Sequence, residues 1–455
     1  MILLTWPKCQ SKPNYDEFLV LRTNGFPLML TPPSTSYPDR CKRTHRIVQL
    51  AGGPAVLAGR LVKMGESGCG RLRDDSGEVV VHFESPPGVD CVGDIVEVDG
   101  EWVAPTFHVR DFRLLAPGTA ASTGIDLEIL ELRSKVLSGI RAYFSAEGFL
   151  EVETPLLLKC PGMEPHLTAF ETRFADPDGP VRDLYLPTSP EFAMKRLLAS
   201  GAERIYQICK SFRHEEAGKF HTPEFTILEW YRAFEQYESI MEDSEALIHS
   251  LVVEIFGNSF VQYRGNAIDV SPPWERLTVM EAMYRYAGID VDPDGDPDQF
   301  VRAARSKGHS AVLDTDSSEV AFTKVFLDAV EGNLGNERPT ILMEYPASMV
   351  ALSKRRPGRY DVAERFEIYI SGVELANAFA ELNDPAEQRE RFRTELDQRK
   401  ADGNAAYDLD EQFLSALDRG MPPAAGIALG VDRLLMLLAD KERIQDVISF
   451  PFPNL

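Results

Sequence analysis

Between Arg204 and Tyr231 the chain reads RIYQICKSFRHEEAGKFHTPEFTILEWY: two runs of alternating residues around a polar loop. Alternation at period two marks strands with one covered face. In the first run it sets Gln207, Cys209, Ser211 and Arg213 on one face, with Tyr206, Ile208 and Phe212 on the other. In the second run Phe225, Ile227, Glu229 and Tyr231 share a face. A sheet built from the pair presents Arg213, Phe225, Glu229 and Tyr231 on one surface. A guanidinium fork matches phosphate oxygens. An aromatic face suits a purine, and a carboxylate suits an ammonium. Taken singly, each residue fits a solvated sheet face; taken together they describe a site for a nucleotide and an amine.

The rest of the chain sets the scale. Its 455 residues suffice for two or three domains. No apolar run approaches the roughly 18 residues that cross a bilayer, and MILLTWPKCQ lacks a basic segment before its short apolar run, so a cytoplasmic, membrane-free protein is expected. The six cysteines show no metal-ligand spacing and are expected to be reduced thiols. A net charge of −23 leaves no large basic footprint for nucleic acid.

Residues 1–44 carry loop signals such as LTPPSTSYPDR. They are expected to be a poorly ordered leader, or an upstream extension of a chain whose true start is Met29. Residues 45–117 read as all-β. AVLAGRLVKM and FHVRDFRLL are strands, with hairpins expected about Ser76-Gly77 and Asp99-Gly100. Short strands of this number suggest an OB-like barrel, or a small β-domain that only packs on a neighbour. A small-residue linker, 118–126, leads to a second domain over 127–455. There Ile129, Leu132, Val136, Ile140 and Phe144 predict a helix that ends at Gly148, followed by the strand FLEVETP.

Two further stretches carry chemistry. In RFEIYISGVELANAFAEL, a turn at Ser371-Gly372 pairs Tyr369 with Glu374 and Glu367 with Ala376. Glu367 and Glu374 then lie diagonally on one face, about 7–8 Å apart, a spacing at which two carboxylates share Mg²⁺. That register leaves Asn377 and Glu381 unplaced. Either a bulge swings Asn377 inward, or ELANAFAEL is a helix that aligns Glu374, Asn377 and Glu381. In GIALGVDRLLMLLAD a small-residue strand passes through Gly430 into a helix with Arg433 in its first turn, an arrangement suited to an anion.

Together these stretches resemble the three motifs of class II aminoacyl-tRNA synthetases. The helix with FLEVETP is similar to motif 1, FRHEEAGKFHTPEFTILEWY to motif 2 and GIALGVDRLLML to motif 3. The resemblance implies an α+β catalytic domain, an antiparallel sheet flanked by helices, preceded here by the OB-like barrel. TSPEFAMKRLL and the 365–392 stretch are similar to the lysine-specific members. Two groups compete: the ligases that load lysine or (R)-β-lysine onto elongation factor P, and the lysyl-tRNA synthetases. Ser189, Phe220, Trp230, Ala428 and the segment EYPASMVAL are ligase-like. The barrel is synthetase-like, yet its hairpin GCGRLRDD lacks the aromatic on which an anticodon base stacks, a contact of about 1–3 kcal/mol. Val80 stands at a nearby base-reading position. The first expectation is therefore the elongation factor P ligase, with tRNA as the second-ranked acceptor and a catalytically silent paralogue third.

What the resemblance implies for the site is specific. ATP would be bound by Arg213, His214, Glu215, His221, Thr222, Phe225, Glu374, Leu375, Gly430 and Arg433, of which Arg213 and Arg433 are catalytic. The diamino acid would meet Ser189, Pro190, Glu191, Glu229, Tyr231, Asn377, Glu381 and Ala428, and Glu367 and Glu374 would hold Mg²⁺. Thr222 departs from the usual Asn. A homodimer through motif 1 is implied in the same way.

Overall fold

The computed structural model describes residues 22–23, 26–27 and 41–452, apart from 66–67, 86, 88–90, 119–125, 164–166, 176–178, 215–216, 350–351, 402 and 404–406. Most of the expected leader, including Met29, and most of the linker 118–126 lie outside the described residues. Glu215 does too. The chain divides into two compact units, 1–123 and 124–455.

In the first unit five strands close into a barrel: β1 (Gly53–Met64), β2 (Cys69–Asp74), β3 (Gly77–Phe83), β4 (Ile95–Val103) and β5 (Thr106–Ala116), in the order β1-β2-β3-β5-β4. The alternation in GEVVVHF sends Val79, Val81 and Phe83 inward and leaves Val80 exposed. Two turn expectations need correction. Asp74 pairs with Gly77, so the tight turn is Asp75-Ser76, one residue earlier than expected. Asp99-Gly100 is no turn at all; it lies inside β4, beside a bulge against β5. A side chain at Gly100 would put its Cβ 2.0 Å from the His108 carbonyl oxygen. The glycine is there for close strand approach, and the chain reverses instead at Ala104-Pro105.

The second unit is built on one sheet of nine strands. Helix α1 (Leu127–Ala146) opens it, capped by the Asp126 carboxylate, which accepts from the Glu128 N–H. Gly148 follows its end in the left-handed region, φ 74°. The elements that matter to the site are β6 (Leu150–Glu151), α2 (Glu191–Ala199), β7 (Arg204–Phe212), β8 (Glu224–Ala233), α3 (Tyr237–Phe256), β9 (Glu275–Thr278), β10 (Thr340–Pro346), β11 (Arg359–Ile370), β12 (Val373–Ala380), α4 (Pro385–Ala401), β13 (Ala424–Gly430) and α5 (Val431–Leu438). The sheet order is β9-β10-β11-β12-β13-β8-β7-β6, with a short strand, Arg355–Arg356, paired to β11. Only the two outermost pairings are parallel.

One face of this sheet is the main core. Val136, Ile140 and Phe144 of α1 and Ile240, Leu247 and Leu251 of α3 pack on Tyr206, Leu228 and Trp230. FLEVETP gives only the two-residue β6, because parallel pairing with β7 stops at Glu151. ELANAFAEL is strand, not helix. Tyr369 faces Glu374 and Ile370 faces Val373 as expected, but a bulge after Ile368 makes Glu367 face Asn377 instead of Ala376. The left-handed Ser371 and Gly372, φ 51° and 69°, make the turn.

Candidate active site

The opposite face of the sheet is lined up in rows. Antiparallel register sets Gln207 opposite Glu229, Glu229 opposite Ala428, Ala428 opposite Asn377 and Asn377 opposite Glu367. Directly opposed residues share a face, so one row of five side chains crosses five strands. A second row runs Tyr231, Gly426, Phe379 and Arg365. The bulge in the β11–β12 pair is what brings Asn377 into the first row, since without it the two-residue period would turn the side chain away.

At one end of the rows lies a buried cluster of charge. Glu191 at the start of α2, Glu229 of β8 and Glu381 just past β12 are 9%, 1% and 1% exposed, and Lys195 is fully buried among them. The Lys195 Nζ lies 2.5 Å from a carboxylate oxygen of both Glu191 and Glu381. Glu229 accepts hydrogen bonds from the Ser189 hydroxyl at 2.6 Å and the Tyr231 hydroxyl at 2.9 Å. Ser189 also accepts from the Glu191 N–H in the first turn of α2, where Pro190 holds the N-cap position without a side-chain hydrogen bond. Burial, with the charges of Glu191 and Glu381, pushes the Glu229 carboxyl up to about 8, although both hydroxyl donors favour its ionised form. Burial likewise raises Glu381, with Lys195 opposing. Burial alone would drive Lys195 toward neutrality, but its two carboxylates hold it as an ammonium. Two carboxylates therefore share one fixed cation, Glu229 holds its proton beside them, and the pocket is short of positive charge. The floor is open because residue 426 is glycine: a Cβ there would lie 2.3 Å from the Tyr231 ring and 2.6 Å from a Glu381 oxygen. Ala428 is half-buried and sits on the first row between Glu229 and Asn377.

At the other end the groups change sign. Ser211 faces Phe225, and the Arg213 guanidinium sits 5.2 Å from the Phe225 ring centre. Arg433, in the first turn of α5, ties three segments together. It donates to the Glu374 carbonyl at 2.6 Å, to the Glu374 carboxylate at 3.3 Å and to the Phe220 carbonyl at 3.2 Å, and its Nη2 is 2.7 Å from His221 Nε2. An arginine cannot accept, so in this contact Arg433 is the donor and Nε2 the acceptor. His214 packs its ring on Phe170, 4.9 Å between centres, and Thr222 is buried. Gly430 faces Ile227, where β13 passes into α5.

The expected metal pair is asymmetric. Glu367 is buried and fully engaged by Arg365, Tyr345 and Tyr369, the last at 2.5 Å. The Glu374 side chain is 36% exposed and, among the described residues, pairs with Arg433. Among the described residues no group of three acidic, histidine or cysteine side chains is placed to hold a metal by itself. Mg²⁺ characteristically takes one or two carboxylates and completes its shell with phosphate and water, so the residues present fit an ion brought in with a nucleotide, with Glu374 as the available ligand and Glu367 behind it.

Some readings change. The Leu375 side chain belongs to the main core, so only its main chain can meet a nucleotide. Trp230 is also in that core, 5.3 Å from Phe144 between ring centres, with its N–H donated to Asp243. It faces away from the site, as period two dictates. Arg365, Tyr345, Tyr369, Gly426 and Lys195 were not singled out from the sequence. Lys195 was the one with a signal, standing four residues after Glu191 on a helix, where the two side chains meet.

This arrangement defines a class. Residues 124–454 match the family of class II tRNA synthetases (D, K and N), and the chain belongs to that family. It is an aminoacyl-adenylate-forming ligase with the class II catalytic fold. Its similar proteins fall in two groups. It is 33% identical to the lysine–tRNA ligase of Pelotomaculum thermopropionicum over 91% of this chain and 90% of the relative. It is 41% identical to the elongation factor P–(R)-beta-lysine ligase of Proteus mirabilis over 70% of this chain and 93% of the relative. The lysine–tRNA ligase of Magnetococcus marinus is 39% identical over 71% of this chain and 64% of its own length. Identity over the shared catalytic region does not separate the groups; among these relatives the alignments that reach nine-tenths of the chain are with lysine–tRNA ligases. Among the described residues no helix is long and apolar enough to cross a membrane.

Proposed function

We propose that this protein activates lysine with ATP as lysyl-adenylate and delivers it to tRNA. The observation that carries lysine is the cluster of Glu191, Glu229 and Glu381, which outnumbers its one ammonium, Lys195. A diamino acid brings the missing cations. Its side-chain ammonium meets Glu229, Tyr231 and Glu381, while Ser189, Pro190, Glu191, Asn377 and Ala428 shape the surroundings. ATP lies toward Arg213, with adenine stacked on Phe225 and His214, His221, Thr222, Gly430 and the Leu375 main chain around it. Glu374, with Glu367 behind it, would hold Mg²⁺, which would offset phosphate charge.

The lysine carboxylate oxygen forms a bond to the α-phosphorus as the bond to pyrophosphate breaks. Arg213 and Arg433 are poised to stabilise the charge that develops on the phosphate oxygens. No side chain acts as nucleophile, and orientation supplies much of the rate. The acceptor then attacks the activated carbonyl and AMP leaves.

The acceptor is ranked by coverage, since the lysine–tRNA ligases align through the barrel as well as the catalytic unit. A second reading, transfer to a lysine of elongation factor P, is favoured by two residues in the pocket itself. The Ser189 hydroxyl occupies an oxygen of Glu229, and Ala428 adds a methyl to the floor. Phe220 and Trp230 weigh less, because Trp230 is core. The test is one incubation with ATP, Mg²⁺ and labelled lysine, split between the organism's bulk tRNA and its elongation factor P. Charged tRNA with an unchanged protein mass is expected. A lysyl mass gain on the factor with uncharged tRNA would put the second reading first.

A further inference from the structure

Lys195 has no direct part in the reaction described above, yet it is fully buried, carries its charge and touches two of the three pocket carboxylates. An ammonium in such a place is costly unless paired and hydrogen-bonded. Its neighbours come from every element around it. Glu191 lies one turn back on α2, Glu229 and Tyr231 on β8, Glu381 past β12, and Lys354 approaches Glu381 from the segment before the Arg355–Arg356 strand, with Glu364 nearby. Cys209 of β7 stands beside Glu229. Within this group three carboxyl groups face the Lys195 ammonium, and Glu229 keeps its proton in the empty pocket. A ligand with two ammonium groups can pair with the remaining charge and ionise Glu229; a ligand with one leaves Glu229 without a cation.

We propose that Lys195 is the specificity-setting positioning residue of this pocket: by pairing with Glu191 and Glu381 at once it offsets one of their two negative charges, fixes how much cationic charge a ligand must bring, and so selects a diamino acid. The inference deepens the lysine reading and rests on it. Lys195 touches no reacting atom. It holds Glu191 and Glu381 in place before the substrate arrives and opposes the burial that raises Glu381. Without it, Glu381 keeps its proton to higher pH, and an incoming ammonium must displace that proton.

The test is Lys195→Met, close in volume but without charge, measured by lysine-dependent ATP–pyrophosphate exchange across pH 6–9. The KM for lysine is expected to rise about tenfold or more near pH 7, a factor of ten for each pH unit by which a carboxyl's titration moves. The defect should shrink as pH rises, with kcat changed far less. Lys195→Arg keeps the charge and should keep the wild-type pH profile, with the KM changed far less than in Lys195→Met. It also serves if the methionine variant fails to fold, because its two carboxylates stay paired. Lys195→Met with the wild-type KM at every pH, or with a loss that is the same at every pH, would overturn the assignment. So would ¹⁵N resonances showing Lys195 neutral at pH 7 in the ligand-free protein, a readout that needs no substrate. If the wild-type protein shows no exchange with any diamino acid, the lysine reading fails, and the resonance measurement still decides whether Lys195 is the built-in cation.

Discussion

Replacing Glu229 by Gln should weaken substrate binding and strengthen the empty protein at the same time. Glu229 is buried and titrates near 8 in the folded protein, against an ordinary value of 4.5. A carboxyl raised on folding contributes stability below its ordinary value and loses it as pH rises through the folded one. Between pH 5 and pH 7 the unfolded chain is ionised at this position while the folded one stays protonated. The wild type should therefore lose about 3 kcal/mol across that interval from this group, at about 1.4 kcal/mol per pH unit. Glu229→Gln has no such dependence, so its melting temperature without ligand should gain on the wild type by several degrees between pH 5 and pH 7. Binding moves the other way. Removing one partner of a buried, hydrogen-bonded charge pair costs about 3 kcal/mol, roughly 150-fold in the KM for lysine. Thermal unfolding at the two pH values and ATP–pyrophosphate exchange at pH 7.5 give both numbers. A KM within threefold of wild type, or a melting gap that is the same at pH 5 and pH 7, would refute the reasoning.

Other perturbations separate the parts of the site. Arg433→Lys should lower kcat for adenylate formation by about a hundredfold, the scale of one lost transition-state donor, because a point charge cannot hold Glu374, Phe220 and His221 together as a planar fork does; calorimetry should find lysine binding nearly unchanged. Gly426→Ala drives a methyl into Tyr231 and Glu381 and should cost about 1–3 kcal/mol of stability while raising the KM for lysine. Trp230→Leu should destabilise the protein by about 2–4 kcal/mol, as a large core truncation does, yet leave the KM for lysine within about twofold of wild type, since the residue faces away from the site.

Much of this was legible because strands report their faces through period two. The alternation in RIYQICKSFR and EFTILEWY put Arg213, Phe225, Glu229 and Tyr231 on one surface; the structure ends the first strand at Phe212, just before Arg213, and pairs the two strands so that this surface is shared. The alignment between distant strands was not legible. Nothing local in the sequence sets Glu229 opposite Ala428 or Ala428 opposite Asn377; those pairings follow from the order of the whole sheet. Asn377 depended on a bulge that the sequence could only require conditionally. Gly100 was misread because Asp-Gly signals a turn by local chemistry, while here a carbonyl 2.0 Å from where its Cβ would be reserves the position. Lys195 escaped notice for a related reason. A lysine on a helix is usually solvated, and only the arrival of Glu381 from another part of the chain makes it buried and paired.

The measurement that bears most directly on the central claim is ATP–pyrophosphate exchange by the purified protein, with each standard amino acid and (R)-β-lysine offered in turn. A pocket with three buried carboxylates and one ammonium predicts exchange that depends on a diamino acid, with lysine foremost or (R)-β-lysine beside it, and none with neutral side chains. Exchange driven equally well by an uncharged amino acid, or no exchange with any diamino acid in an otherwise folded protein, would contradict it.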